Sequence, residues 1–295
     1  MLKLTTFYGG LLTAGDRIAA SDRSSDAGRR RSEPPRMPWK ARAVLALVAA
    51  AILATGTPAR ADDGPVSSSA TGWSFQLSPY LWMTGLNGDV GTRPRLPTVD
   101  VDAGFDEIFE HLDFAFMAVA EARHGRVGAL VDVAYLPLSA DGTTPGAHFG
   151  DVDVDNTTFF GTFSLGYRAF DDPAGTVDVL AGVRAWSVDN DVTFTAGLLP
   201  QVETGVSESW VDPVVGLRGQ VDLGSRFFAS AYGDIGGFGV VSDLTWQVYG
   251  GVGYRFSDFI AGQIGYRHLS VDYEDDGFVW DVELSGPTVG LSIRF

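Results

Sequence analysis

Cysteine is absent from this sequence of 295 residues, which excludes disulfides and cysteine-ligated zinc sites. Lysine is absent after residue 61. That part of the chain carries eleven arginines against 33 acidic residues, a formal charge of −22, whereas residues 1–61 carry ten basic and four acidic residues, or +6. A chain this acidic lacks the basic surface that phosphate backbones require, so we expect no nucleic-acid partner.

Long apolar runs are also scarce. Residues 43–54 form an unbroken apolar run of 12 residues, with a basic stretch before it and small residues at 59 and 61. This order is typical of a secretory signal peptide, and the run is too short to span a bilayer as a helix. We therefore predict a signal peptide at 37–61. Residues 1–36 are interpreted as a non-native stretch upstream of a true start at Met37, or as a disordered extension.

Helical periodicity is nearly absent from the remaining chain. Residues 62–72 are rich in serine and predict a flexible lead-in, whereas 73–295 contain segments in which apolar residues alternate with small or polar ones. This period of two places successive side chains on opposite faces of a strand. The predicted strands are 73–85, 114–124, 127–139, 156–170, 176–189, 208–223, 227–238, 244–256, 259–272 and 279–295.

Three features favour a membrane barrel over a secreted sandwich or lipocalin-like barrel, which remains the alternative. Short connections alternate with longer ones, among them 86–113, 140–155, 190–207 and 273–278, as in outer-membrane barrels. Aromatic residues gather near strand ends, as interfacial girdles require. We expect Trp73, Phe170, Phe227, Phe256, Phe259 and Phe295 near the periplasmic interface, and Trp210, Trp246, Tyr266 and Trp280 near the outer one.

The third feature is the end of the chain, an alternating strand that terminates on an aromatic residue. It resembles the C-terminal signal by which the assembly machinery recognises outer-membrane proteins, carried here by Val289, Leu291, Ile293 and Phe295. We therefore predict an all-β, antiparallel transmembrane barrel of about ten strands, with eight or twelve as alternatives. The expected location is the outer membrane, and the expected partners are its lipids, lipopolysaccharide and the barrel-assembly machinery.

Several stretches resemble a family of largely uncharacterised, porin-like outer-membrane barrels of proteobacteria. They are 78–82 (SPYLW), 105–114 (FDEIFEHLDF), 210–218 (WVDPVVGLR), 265–267 (GYR) and the closing 286–295. The resemblance spans 73–295. It implies fold and location but no chemistry, so no catalytic residue is transferred.

Charged residues of both signs fall on the face predicted to line the lumen: Glu121, Arg123, Asp132, Arg168, Asp178, Arg184, Asp212, Arg218, Asp222, Asp234, Arg255 and Arg267. A barrel of about ten strands is only slightly wider than those whose interiors side chains fill. Two interpretations remain open. The charges could bridge one another in a closed interior, or they could line a narrow, cation-favouring path for ions or small solutes.

Two other groups of residues could carry chemistry. Loop 86–113 concentrates Asp100, Asp102, Asp106, Glu107 and Glu110 ahead of His111, and 104–112 predicts one or two helical turns. The spacing lacks the EF-hand pattern, and the same holds for alternating Asp151, Asp153 and Asp155. We expect no metal site and no cofactor.

An enzyme is the least favoured interpretation. His268 and Ser270 faintly resemble the His-x-Ser pair of outer-membrane lipid A deacylases, with Glu274 nearby, but the surrounding motif is missing. No set of residues suggests an omptin-like protease. The leading prediction is a small structural or porin-like barrel without enzymatic activity. A binding module with acidic outer loops is the alternative, and a lipid-acting enzyme comes third.

Overall fold

The computed structural model describes residues 72–91, 99–110, 115–143 and 149–295. Its elements are β1 (Trp73–Trp82), β2 (Gly85–Gly91), β3 (Val99–Ala103), α1 (Phe105–Glu110), β4 (Phe116–His124), β5 (Val127–Thr143), β6 (Phe149–Asp172), β7 (Gly175–Ala196), β8 (Val202–Asp222), β9 (Phe227–Gly236), β10 (Leu244–Arg255), β11 (Ile260–Asp275) and β12 (Phe278–Arg294). None of the helices in the described ranges is long and apolar enough to cross a membrane.

The sheet closes on itself. Neighbouring strands from β4 to β12 pair antiparallel in chain order, β4 pairs with β1, and β1 pairs with β12. Closure leaves no sheet edge in lipid, which is the condition for a sheet to span a bilayer. The prediction of an antiparallel barrel of about ten strands is confirmed.

The first strand of the barrel is interrupted. β1 pairs with β12 from Gln76 opposite Arg294 to Trp82 opposite Thr288, and β2 continues the same register from Gly85 opposite Ser285. β1 and β2 therefore act as one barrel strand, which brings the barrel to ten strands. The outer part of this strand is covered by β3, because β2 pairs with β3 while β1 pairs with β4.

The outer surface of the barrel carries an apolar belt. On β7, Val177, Val179 and Val183 are exposed, whereas Asp178 and Arg184, on the opposite face of the strand, are buried inside the barrel. The same alternation runs along β8, β10 and β12. An apolar surface that surrounds a barrel requires lipid, and a polar interior with an apolar exterior is the arrangement of outer-membrane barrels. The predicted location in the outer membrane is confirmed.

Three strands reach far beyond the membrane. β6, β7 and β8 contain 24, 22 and 21 residues, whereas a tilted transmembrane strand needs about 9–11. Inside this extension, Val152, Val192 and Phe194 form a small buried cluster. The prediction that 140–155 and 190–207 are loops was wrong for most of their length, because alternating valines and Phe194 continue the strands through acidic sequence.

The predicted loop 273–278 is a tight turn. Asp276 and Gly277 both have positive φ, 42° and 82°, which fits the two-residue Asp-Gly hairpins in which this backbone twist matches that of the strands. In the long first connection, the predicted helical turns are confirmed as α1, whereas the hairpin of β2 and β3 was not anticipated. The predicted signal peptide, the extension before it and residues 62–71 of the lead-in lie outside the described residues.

The periplasmic girdle is confirmed: Trp73, Phe170, Phe227, Phe256, Phe259 and Phe295 are all exposed near the short turns or chain ends. The prediction of the outer girdle is confirmed only in part. Tyr266 is exposed and Trp246 is partly exposed, but Trp210 and Trp280 are each 4% exposed and belong to the interior core. Trp210 lies two residues from Asp212, so both side chains point to the same face of the strand.

Candidate functional site

The lumen contains a layer of ion pairs near its periplasmic end. Arg168 and Arg123 both contact Asp178, at 2.9 Å and 2.6 Å, and Arg123 also contacts Glu121 at 3.0 Å. Glu121 contacts Arg218 at 2.7 Å. Five charged side chains from β4, β6, β7 and β8 thus alternate in sign across the lumen. Near the mouth, Arg255 pairs with Asp222 at 2.6 Å and stacks over the ring of Phe228.

A second polar layer, the middle layer, crosses the barrel at half its height. Arg184 donates to both oxygens of Asp234, at 2.8 Å and 2.6 Å. Asp234 also accepts from Tyr232 and Gln247. Gln247 leads on to Arg267, which donates to its side-chain oxygen.

Arg267 completes the middle layer on the other side of the barrel. It pairs with Asp132 at 2.8 Å and donates to the Tyr80 hydroxyl, which in turn donates to Asp132 at 2.8 Å. Arg267 also stacks over the ring of Trp82, 4.8 Å from its centroid. Because these groups are hydrogen-bonded on several sides, the cost of burying them is offset within the network.

Above the middle layer, the outer half of the lumen is filled by an apolar core that we call the aromatic plug. Its rings form a connected series of edge and stacked contacts: Trp82, Phe160, Trp186, Trp210, Tyr273, Phe278 and Trp280. Leu269, Val271, Val282 and Leu284 pack around them, each 3% exposed or less. The plug therefore occupies the lumen above the middle layer with closely packed, buried side chains.

The loop between β9 and β10, residues 237–243, is tied to the lumen by Asp212. The buried Asp212 carboxylate accepts hydrogen bonds from the Ser242 backbone N–H at 2.9 Å and from its hydroxyl at 2.7 Å. Of the twelve charged residues predicted to line the lumen, Asp212 therefore bonds to a loop serine, whereas the other eleven take part in ion pairs.

Below the middle layer, the periplasmic half of the lumen holds a cavity of about 210 Å³. Its walls come mainly from β1 and β8 to β12, and its lower rim includes the turn residues Ser257, Asp258 and Phe259. The wall is rich in hydroxyl and amide groups that bond to one another, such as Ser78 with Ser292 at 2.8 Å. The cavity was not anticipated from the sequence, since alternation identifies the inward face but not how much space its side chains leave.

The outer ends of the strands carry rows of carboxylates. Asp272, Asp281 and Asp89 are paired across β11, β12 and β2. Asp243, the last residue of the loop before β10, donates its backbone N–H to the Asp272 carbonyl. Burial and the nearby Asp281 and Asp243 raise the pKa of Asp272, and burial together with Asp189, Asp155 and Glu203 raises the pKa of Asp191. Among the residues that the structure describes, no group of three or more His, Asp or Glu is arranged to hold a metal ion.

His268 faces outward near the upper edge of the apolar belt. Its Nδ1 atom lies 2.5 Å from the Ser285 hydroxyl on β12, and its ring packs 4.6 Å from that of Trp246. Ser270 lies on the same face of β11 but is not the hydrogen-bond partner of the histidine. Nε2 of His268 has no partner among the described residues, so no carboxylate orients the ring.

Comparisons with known proteins support the fold. No family model and no curated protein sequence matches the chain. Among solved structures, the outer membrane protease OmpT of Escherichia coli matches with a TM-score of 0.50 at 8% identity, covering 78% of this chain and 99% of OmpT. The translocator domain of the autotransporter NalP of Neisseria meningitidis matches at 0.35 and 11% identity, covering 87% and 97%. The match to OmpT supports the closed antiparallel barrel fold, which OmpT shares as an outer-membrane protein.

Proposed function

We propose that this chain is a non-conducting outer-membrane barrel with a structural role. The observation that supports the proposal is the packing of the lumen: the aromatic plug fills its outer half, and the hydrogen-bonded middle layer crosses it below. An ion would have to separate buried charge pairs and then enter an apolar core, and both steps are costly. A porin-like path, which the resemblance to porin-like barrels would favour, is the weaker candidate.

The charge of the lumen also argues against a cation path. The twelve charged residues comprise six arginines and six carboxylates, whereas the large acidic excess of residues 62–295 lies elsewhere. On β6 and β7, for example, Asp153, Asp155, Asp189 and Asp191 belong to the extension beyond the membrane. A lumen with balanced charges offers little attraction to cations over anions.

Planar-bilayer recordings test the proposal. We expect no stepwise conductance from the refolded wild-type barrel, with a known porin in the same bilayers as a positive control. A double variant, Trp186→Ala with Trp210→Ala, removes two adjacent rings of the plug and should leak small ions. Its matched control, Val183→Ala with Val211→Ala, alters neighbouring residues that face lipid and should stay silent. Reproducible conductance steps from the wild type would overturn the proposal.

A binding module is the second candidate, favoured by the extension of β6 to β8. Its outward face presents Asp153, Asp155, Asp189, Asp191 and Glu203, and carboxylates at this height could engage lipopolysaccharide through shared divalent cations. Stabilisation by Mg²⁺ that requires outer carboxylates would support this candidate, and its absence would count against it.

The proposal includes no enzymatic activity. His268 bonds to Ser285 without an orienting acid, and the other described histidine, His124, packs against Trp73 at the periplasmic end. We also propose that the assembly machinery recognises the last strand. Phe295 exchanges backbone hydrogen bonds with Phe75 while its ring stays exposed, so the aromatic side chain is available for contact.

A further inference from the structure

The wall of the cavity in the periplasmic half of the lumen combines apolar side chains with neutral polar ones. Gln76, Ser78 and Ser292 form one hydrogen-bonded group, and Gln263 donates to Ser230 and Tyr249 in another. A hydroxyl can both donate and accept, so these groups retain bonding capacity toward an occupant. Such a wall matches a ligand that carries several hydroxyls.

Two aromatic rings lie flat against the wall instead of filling the space. The Tyr249 ring covers Gly251 and the Phe228 ring covers Gly253, so closely that a Cβ at either glycine would collide with the ring. The two glycines thus keep the rings out of the centre of the cavity. The barrel here preserves space, whereas its outer half is filled by the aromatic plug.

Arginines are concentrated around this cavity in an otherwise acidic chain. The cavity is lined by four arginines, Arg218, Arg255, Arg267 and Arg294, and by two aspartates, Asp132 and Asp258. Arg267 and Asp132 neutralise each other in the roof. Toward the mouth, Arg218 and Arg255 each make one ion pair, and Arg294 makes none with the described residues. A guanidinium carries five N–H donors, so three arginines retain donors for an anion.

We propose that this cavity binds a small hydroxyl-bearing anion from the periplasm, of the class of a monosaccharide carrying one phosphate or carboxylate. The anionic group would bond to the arginines at the mouth, and the sugar hydroxyls would bond to the wall. Bidentate geometry makes arginine well suited to phosphate and carboxylate. The inference goes beyond a structural role and does not require an open lumen.

Isothermal titration of the detergent-refolded full barrel with glucose 6-phosphate tests the inference. We expect saturable binding that is at least tenfold tighter than that of glucose or of inorganic phosphate, since each lacks one half of the recognition. Arg294→Gln should weaken binding about tenfold, as loss of a charge-assisted hydrogen bond does. Ser230→Phe should abolish binding by filling the cavity.

Arg226→Gln is the matched control, because Arg226 lies on a periplasmic turn and bonds to the Tyr254 hydroxyl instead of lining the cavity. It should bind like the wild type. Heat-modifiable mobility identifies the folded variants, and either cavity variant suffices if the other fails to fold. Absence of saturable binding to the wild type would overturn the inference. Equal affinity for glucose 6-phosphate and for inorganic phosphate would also overturn the inference. So would a loss of affinity in Arg226→Gln as large as that in Arg294→Gln.

Discussion

At the scale of single residues, burial decides what an ion pair contributes. The side chains of Arg184 and Asp234 are 0% and 1% exposed, whereas those of Arg255 and Asp222 are 26% and 37% exposed. Removing one partner of a buried pair leaves an uncompensated charge and costs about 3–5 kcal/mol. An exposed pair contributes about 1 kcal/mol or less.

Arg184→Leu should therefore lower the free energy of unfolding by about 3–5 kcal/mol, and the matched change Arg255→Leu by about 1 kcal/mol or less. Urea titration of the refolded barrel in lipid vesicles measures both. Equal losses in the two variants would mean that the middle layer is hydrated to the same degree as the mouth.

Alternation in the sequence predicts the face of the strand on which each side chain lies, but not the residue that it contacts. Asp178 and Arg184 could be assigned to the lumen face because Val177, Val179 and Val183 flank them on the other face. The bond from Asp212 to Ser242 could not be predicted, because it depends on how loop 237–243 folds back. The inward position of Trp210 was predictable from the sequence, because Trp210 shares a strand face with Asp212. The prediction of an outer-girdle position followed from its aromatic character alone.

At the scale of strands, cross-strand pairing places like charges side by side. Asp272 is directly opposite Asp281 and near Asp243, and carboxylates in such positions repel one another. Its pKa is raised by burial and by these two neighbours. A raised carboxyl pKa means that the folded state favours the protonated form. The resulting penalty is absent well below the pKa of the unfolded chain, about 3.9. It grows as the pH rises from that value to the higher pKa of the folded state, and it is fully present above the folded pKa.

Asp272→Asn should therefore raise the temperature at which the barrel loses its heat-modifiable form at pH 7, and should change it little at pH 3. Mg²⁺ at pH 7 should stabilise the wild type more than this variant. Asp258→Asn is the control, because Asp258 lies on an exposed periplasmic turn. This substitution should leave the transition temperature unchanged at both pH values. A lower transition temperature for Asp272→Asn at pH 7 would show that Asp272 makes favourable contacts that outweigh the repulsion.

The strand pattern was easier to predict than the strand ends. All ten predicted segments begin or end within a few residues of an observed strand end, because lipid imposes a strict alternation on the strands of the belt. Beyond the membrane both faces can meet water, so the acidic and threonine-rich sequence at 149–155 and 190–196 predicts loop. The strands continue because Val152, Val192 and Phe194 still bury an inner face.

At the scale of the whole molecule, the position of the tryptophans distinguishes a sealed barrel from one with two aromatic girdles. Trp82, Trp186, Trp210 and Trp280 are buried inside the lumen, whereas Trp73 and Trp246 are at least partly exposed on the outer surface. In a bilayer, only an outward indole can reach lipid. The barrel should therefore contain two classes of tryptophan that respond differently to quenchers.

Brominated lipids should quench only part of the tryptophan fluorescence of the refolded barrel, and aqueous acrylamide should leave most of the remainder unquenched. In the double variant Trp73→Phe with Trp246→Phe, the four plug tryptophans remain, and lipid quenching should nearly disappear. The matched variant Trp210→Phe with Trp280→Phe should keep the lipid quenching. If this second pair instead removed it, Trp210 and Trp280 would face lipid, the plug would lose two of its rings, and the sealed lumen would no longer hold.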